Sequence, residues 1–244
     1  MARLFVAQYF MPTILIIDDE EDLRNLISAK FQAEGFDTIL AADGLEGFEK
    51  ARKEKPELIV LDLMMPGRDG MTVCKDLRSH GKTKRIPILM LTALGDTDHK
   101  IKGLEMGADD YMSKPFSPKE LVLRVKNILR RTLVVGDGGA EIELGPLFVD
   151  RNNLRVNLAG EEIDLTSTEF KLLLCLIETP GAPRERAELL EQVWGYSNLS
   201  QTRTLDTHVK RLRAKLGEYG SCIETVRSVG YRFNESALLS DDET

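Results

Sequence analysis

Between residues 13 and 131, short runs of β-branched and aliphatic residues alternate with stretches of helical period. No other feature limits the fold as much. The runs are Thr13–Ile17, Thr38–Ala41, Leu58–Leu61 and Ile86–Thr92, with a short one near Tyr111–Ser113. In Glu21–Glu34, Leu23, Leu26, Ile27 and Phe31 fall on one helical face. Gly44–Lys55 and Gly70–Arg78 read the same way. Ser117 and Pro118 supply an N-cap and a first-turn proline, Glu120 sits at the capping-box position, and Leu121, Val125 and Ile128 form the apolar side. Five strands alternating with five helices predict an α/β doubly wound domain, its five-stranded parallel sheet covered on both faces.

The pattern then changes class. Residues 132–140 carry Gly136, Gly138 and Gly139 without helical period and read as a short linker. Beyond them, Glu141–Phe148, Leu154–Asn157 and Glu162–Asp164 predict antiparallel strands, followed by helices over Thr166–Glu178, Arg184–Val193 and Thr202–Leu216. Ile223–Val226 and Tyr231–Phe233 predict a closing hairpin around Ser228–Gly230. The expected domains are 12–131 and 141–235, an α/β unit and an α+β unit, with an acidic tail over 236–244. Residues 1–11 read as an extension, with Met11 an alternative start.

Cys74, Cys175 and Cys222 are odd in number, far apart and free of any CxxC spacing, which argues against a disulfide framework or zinc site and for reduced thiols in the cytoplasm. No apolar run reaches the roughly 18–20 residues of a membrane helix. In a doubly wound sheet, sites form beyond the carboxyl ends of the strands. Those ends here carry Asp18 and Asp19, Asp62, Thr92 and Lys114. Three converging carboxylates repel one another unless a cation joins them, and an all-oxygen set suits Mg²⁺. A lysine and a threonine hydroxyl facing the same point suit a phosphoryl group. The chemistry implied is phosphoryl transfer to a carboxylate.

Four segments carry a family resemblance. They are Ile16-Ile17-Asp18-Asp19-Glu20, Val60-Leu61-Asp62-Leu63-Met64-Met65-Pro66-Gly67, Leu91-Thr92-Ala93, and the run from Gly107 to Phe116. With them, residues 12–131 resemble the flavodoxin-like receiver domain of two-component response regulators. The resemblance implies Asp62 as phosphoacceptor, receiving its phosphoryl group from a sensor histidine kinase. It implies Mg²⁺ on Asp19, Asp62 and the Met64 carbonyl, with Asp18 acting through water. Lys114 would pair with the phosphoryl group, Thr92 would hydrogen-bond it, and Tyr111 would follow by changing rotamer. It also implies a two-fold dimer face using Asp98, Lys100, Asp110, Glu120, Arg124 and Arg131, paired as Lys100–Glu120, Asp110–Arg124 and Asp98–Arg131. Taken by themselves, these charges are solvated faces of little energetic weight. Met64 and Leu94 offer no side chain to orient an attacking water, so a long-lived acyl phosphate is expected.

In Thr202–Leu216, Leu205, Val209, Leu212 and Leu216 form an apolar stripe, and the opposite side carries Arg203, Thr207, Lys210, Arg211 and Ala214. Segment 203–215 has a local net charge of +4. A basic face opposite an apolar seam suits insertion into the major groove of DNA. With Leu165-Thr166-Ser167-Thr168-Glu169-Phe170, Val193-Trp194-Gly195-Tyr196 and the hairpin tip at Arg227, the second domain resembles the winged-helix effector of OmpR/PhoB-type regulators. The resemblance makes Arg203, His208, Lys210, Arg211 and Arg213 candidates for contact with double-stranded DNA, with Lys210 or Arg211 at a base edge and Arg227 in the minor groove. Thr204, Thr225 and Tyr231 would touch the DNA backbone. The loop Gly195–Gln201 would face RNA polymerase. Trp194 and Phe170 are expected in the core.

The whole chain has a formal net charge of −7, which excludes a uniformly basic DNA-coating protein. The acid is uneven: residues 141–244 hold 12 Lys/Arg against 18 Asp/Glu, a net of −6. The predicted DNA-binding domain is therefore the more acidic one, its basic charge gathered in one helix and a wing tip. A haloacid-dehalogenase-type phosphatase would want a second acid two residues after the nucleophile, where Met64 stands. A regulator whose receiver never takes phosphate fits poorly with so complete a pocket. The expected protein is a phosphoacceptor transcription factor, with no enzymatic activity beyond its own phosphorylation and dephosphorylation.

Overall fold

The computed structural model describes residues 11–93, 103–133, 141–195 and 202–238. The first domain is a five-stranded parallel sheet of β1 (Thr13–Ile17), β2 (Asp37–Ala41), β3 (Leu58–Asp62), β4 (Ile88–Ala93) and β5 (Asp110–Lys114), in the order β2-β1-β3-β4-β5. Helices α1 (Glu21–Ala33), α2 (Gly44–Glu54), α3 (Gly70–Ser79) and α4 (Pro118–Leu133) cover it. Of the fifth predicted helix, between β4 and β5, only residues from 103 on are described, and 103–105 are helical.

Strands β1 and β3 read as unbroken aliphatic runs because both sheet faces are buried. On one face Ile14, Ile16, Val60, Leu89 and Leu91 meet Ile27 and Phe31 of α1 and Leu121, Val125 and Ile128 of α4. On the other, Leu15, Ile17, Ile59 and Leu61 meet Val73, Cys74 and Leu77 of α3. Asp43 and Asp69 accept backbone N–H bonds at the starts of α2 and α3, fixing where each helix begins.

The second domain opens with an antiparallel sheet of β6 (Glu141–Leu144), β7 (Leu147–Asp150), β8 (Arg155–Leu158) and β9 (Glu161–Ile163). The single strand expected over Glu141–Phe148 is thus two strands. Gly145 has φ +54 and Pro146 lacks a backbone donor, so the chain turns there and pairs with itself. Helices α5 (Ser167–Ile177), α6 (Arg186–Trp194) and α7 (Thr202–Lys215) follow. Thr166 and Glu169 form a reciprocal capping box at the start of α5. Strands β11 (Ile223–Val226) and β12 (Gly230–Phe233) close the domain, joined by a two-residue β10 (Arg184–Glu185), where the sequence predicted only helix.

The predicted seam Leu205, Val209, Leu212 and Leu216 lies in the core with Phe170 and Trp194. Two boundaries differ from expectation. Helix α4 runs to Leu133 rather than ending at 131, and Leu238 is buried in a 3-10 turn, so the folded second domain reaches beyond 235.

Candidate functional site

Strands β1 and β3 are neighbours in the sheet, so their carboxyl ends set Asp18 and Asp62 side by side. Both are buried, and the Lys114 ammonium at the end of β5 bridges them, 2.9 Å from Asp18 Oδ2 and 2.8 Å from Asp62 Oδ2. Asp19 is exposed beside them, and carboxylate oxygens of Asp18, Asp19 and Asp62 lie within 4.8 Å of one another. The Asp18 carboxylate also accepts the Glu20 N–H at 2.9 Å, and Asp62 Oδ1 accepts the Met64 N–H at 3.4 Å.

Burial pushes the Asp18 carboxyl above its ordinary value, against the opposing pull of Lys114. Burial also works against the Lys114 ammonium, but its hydrogen bonds to Asp62 and Asp18 outweigh that and hold its pKa above the usual lysine value. One lysine thus faces three carboxylates. The oxygen-only donor set of Asp18, Asp19 and Asp62 and the charge left over both fit a divalent hard cation. The Thr92 hydroxyl is buried at the end of β4 and donates to the neighbouring Ala93 carbonyl at 3.4 Å, leaving the carboxylates to Lys114.

Tyr111 on β5 points elsewhere. It is half-buried, and its hydroxyl is hydrogen-bonded to Thr204 on α7. The basic helix is turned in part toward the first domain. Thr204, Thr207 and His208 are buried, His208 against Trp194 with ring centroids 5.0 Å apart. Arg211 donates to the Leu104 and Ala108 carbonyls at 2.8 and 3.1 Å and pairs with Glu169 at 2.6 Å. Lys210 and Arg203 remain exposed, Lys210 paired with Glu105 at 2.7 Å.

Several residues predicted to contact DNA have partners within the chain. Arg213 is spent inside the second domain: it donates to the Ile223 carbonyl at 2.8 and 2.6 Å and to Thr225 Oγ1 at 3.0 Å, bracing α7 against β11. Tyr231 is buried with its hydroxyl 2.5 Å from Asp206 Oδ1 and guanidinium groups of Arg186 and Arg213 over its ring. Burial and the Asp206 carboxylate push its phenol up to about 12. Thr225 and Arg227 are exposed on the wing.

Of the predicted dimer face, Asp98 and Lys100 lie outside the described residues, as does the Arg131 side chain. Asp110 and Arg124, expected to pair between chains, pair within this one at 3.2 Å, and Arg124 also holds Glu120 at 2.8 Å. The i, i+4 spacing on α4 sets Glu120 beside Arg124 within the chain. The loop expected to face RNA polymerase lies outside the described residues beyond Gly195.

Sequence reasoning missed Asp109. It is fully buried, its Oδ2 accepts from Arg78 at 2.8 Å and from the Ile88 N–H at 2.9 Å, and its carbonyl accepts the Trp194 indole N–H at 3.0 Å. The available signal was a pair of adjacent acids at the entry of an apolar strand, which require buried partners.

The arrangement matches known proteins along most of its length. A family model for the response regulator receiver domain covers residues 14–126, and one for the C-terminal domain of transcriptional regulatory proteins covers residues 160–233. The phosphate regulon transcriptional regulatory protein PhoB of Pseudomonas aeruginosa is 43% identical over 223 residues, 91% of this chain and 97% of that one. The transcriptional regulatory protein SrrA of Staphylococcus aureus is 42% identical over 240 residues, 94% and 97% of the two chains. The solved structure of a RitR mutant, 26% identical, superposes with a TM-score of 0.74 over 91% of this chain and 99% of that one.

Proposed function

The chain belongs to the two-component response regulators, in the OmpR/PhoB winged-helix subfamily of transcriptional regulators, and from that membership we propose how its own residues carry the signal. A sensor histidine kinase presents a phosphohistidine to the first domain, the receiver. An Asp62 oxygen attacks the phosphorus, the P–N bond breaks, and its electron pair leaves with the imidazole. The product is an acyl phosphate on Asp62. The observation that carries this reading is the Lys114 ammonium set between two buried carboxylates from different strands.

Asp19, Asp62 and the Met64 carbonyl would hold Mg²⁺, with Asp18 acting through water. When bound, the ion offsets the negative charge of the incoming phosphoryl group. Phosphorylation replaces a charge of about −1 on Asp62 by about −1.5 to −2 and adds acceptor oxygens. Lys114 then shares itself with the phosphoryl group, Thr92 turns its hydroxyl from the Ala93 carbonyl toward it, and Tyr111 changes rotamer. These changes shift the population between two packings.

The output is a dimer on the face of Asp98, Lys100, Asp110, Glu120, Arg124 and Arg131. It binds double-stranded DNA at tandem half-sites about 34–36 Å apart. Helix α7 enters the major groove with Arg203, Lys210 and Arg211, and Arg227 reaches the minor groove from the wing. Residues 195–201 face RNA polymerase. The protein works in the cytoplasm, and its only chemistry is its own phosphorylation and dephosphorylation.

Intact mass after incubation with acetyl phosphate and Mg²⁺ tests the reading. The chain is expected to gain one phosphoryl group, and Asp62→Ala none. Equal gain in the variant, or none in the wild type, overturns Asp62 as the acceptor.

A further inference from the structure

We propose that Arg24, on α1, is a positioning residue for the cation site: it holds the peptide that joins Asp18 to Asp19, and so keeps the Asp19 carboxylate beside Asp62. The inference rests on reading the carboxylate cluster as the Mg²⁺ site.

The three carboxylates are not held alike. Asp18 is engaged at both oxygens, by the Glu20 N–H and by the Lys114 ammonium. Asp62 is engaged in the same way, by the Met64 N–H and Lys114. Asp19 is exposed, and its carboxylate has no hydrogen bond or ion pair among the described residues. Its oxygens nonetheless come within 4.8 Å of those of Asp18 and Asp62. The backbone therefore has to put it there.

That backbone has few fixings. Strand β1 ends at Ile17 and α1 starts at Glu21, so residues 18–20 carry the chain from sheet to helix. A capping side chain commonly fixes such an entry, but Glu20 at the N-cap makes no side-chain cap bond. Two bonds hold the Asp18 backbone instead. Its N–H donates to the Ala41 carbonyl at the end of β2 at 3.3 Å, and its carbonyl accepts from Arg24 Nη1 at 2.6 Å. The Asp18 carbonyl and the Asp19 nitrogen share one planar peptide. A bond to the first thus fixes the plane from which the Asp19 side chain departs.

Arg24 acts from inside the first turn of α1, where its own N–H donates to the Glu20 carbonyl at 3.0 Å. The strand on the other side is braced as well. Ala42 N–H donates to Glu46 at 2.7 Å, and Lys50 donates to Glu46 at 2.6 Å and to the Leu40 carbonyl at 2.5 Å. The Lys50 and Ala42 hydrogen bonds hold the Glu46 carboxyl below its ordinary value, and the Arg24 charge adds to that pull. Glu46 in turn offsets part of the guanidinium charge beside the site.

Charge and hydrogen bond work in opposite directions here. Like charges repel, so through its charge alone Arg24 weakens the hold on a divalent cation. Through its bond to Asp18 it strengthens that hold, because Asp19 is in place before the ion arrives. Residues that orient metal ligands typically govern affinity by about 10–100-fold. A half-buried guanidinium offset by Glu46 is screened by salt over about 10 Å, so the bond is the larger effect. The sign of the change in Arg24→Ala separates the two.

Isothermal titration of Mg²⁺ into the full chain, without phosphodonor, reads that sign. Arg24→Ala is expected to bind Mg²⁺ on the order of tenfold more weakly than wild type. Arg24→Lys keeps the charge and a donor of similar reach, and should recover most of the affinity. With acetyl phosphate, Arg24→Ala should need correspondingly more Mg²⁺ and approach the wild-type rate once Mg²⁺ saturates, since Asp62 and Lys114 are untouched. Equal or tighter Mg²⁺ binding by Arg24→Ala overturns the positioning role, as does a fall in the saturated rate with affinity unchanged. Arg24→Lys as weak as Arg24→Ala removes the hydrogen bond as the cause. Loss of helical circular dichroism in Arg24→Ala would make Arg24 a folding residue and overturns the proposal. No Mg²⁺ binding by the wild type overturns the cation reading beneath it.

Discussion

The proposed phosphoacceptor pocket and the proposed DNA-binding helix both depend on charged side chains presented by regular structure, but they differ in what holds those side chains in place. In the pocket, strand ends do it. Asp18, Asp62 and Lys114 are fixed by the parallel register of β1, β3, β4 and β5, and the Lys114 ammonium lies within 3 Å of both carboxylates. On α7 the helix decides only which residues share a face; the neighbouring domain decides which of them reach solvent. Lys210 is exposed while Arg211, one residue on, is engaged by receiver carbonyls and Glu169. A site built on a sheet edge is set by the register of its own strands, whereas the exposed part of a helix face is set by what packs against it.

The largest expected effect breaks the pocket side of this contrast. Lys114→Ala leaves Asp18 and Asp62 buried without their cation, and removing one partner of a buried ion pair costs about 3–5 kcal/mol. Urea melts should show that loss without Mg²⁺ and a partial recovery with it, since a divalent ion takes over the same oxygens. A loss indifferent to Mg²⁺ would mean that the carboxylates do not form a cation site.

Next comes the carboxylate beneath the basic helix. Glu169 is fully buried, and although burial alone would raise its pKa, Arg211 and Lys215 hold it below the ordinary 4.5. A carboxylate depressed on folding stabilises fully above its unfolded value, and that stabilisation is lost as pH falls through the folded value. Glu169→Gln should therefore cost about 3 kcal/mol near neutral pH, with the gap to wild type narrowing below about pH 4.5. A gap independent of pH would show that Glu169 acts through packing rather than charge. The smallest effect is at the rim. Glu105→Lys sets two cations together at the exposed Lys210 pair and should change stability by only about 0.2–1 kcal/mol, so a larger change in the same melts would shift weight from the buried bonds to the surface.

The contrast also sorts what the amino-acid sequence could reveal. The strand-end residues were legible because a parallel sheet admits one side chain per strand end, and Ile14–Ile17 and Leu58–Leu61 mark those strands by composition alone. The seam Leu205, Val209, Leu212 and Leu216 was legible for the same kind of reason, a period matched to one element. The split of Glu141–Phe148 at Gly145 was available from the Gly-Pro pair but outweighed by the apolar run around it. The intrachain partners of Arg213 and Tyr231 were not legible, because a cation and a phenol carry no local mark of them; Ile223, Thr225 and Asp206 become neighbours only when β11 and α7 fold together. Asp109 and Arg211 lie further from reach, since their partners belong to the other domain and no periodicity encodes a docking surface.

The proposed shift between two packings on phosphorylation of Asp62 can be read where the two domains meet. Trp194 is the chain's one tryptophan, fully buried, with its indole N–H on the receiver's Asp109 carbonyl. Acrylamide quenching of its fluorescence reports the closed contact in the unmodified full chain. Phosphorylation with acetyl phosphate and Mg²⁺ should raise the quenching constant in wild type and leave Asp62→Ala unchanged. Equal quenching of the phosphorylated and unphosphorylated wild type, with phosphoryl uptake verified by mass, would contradict the account.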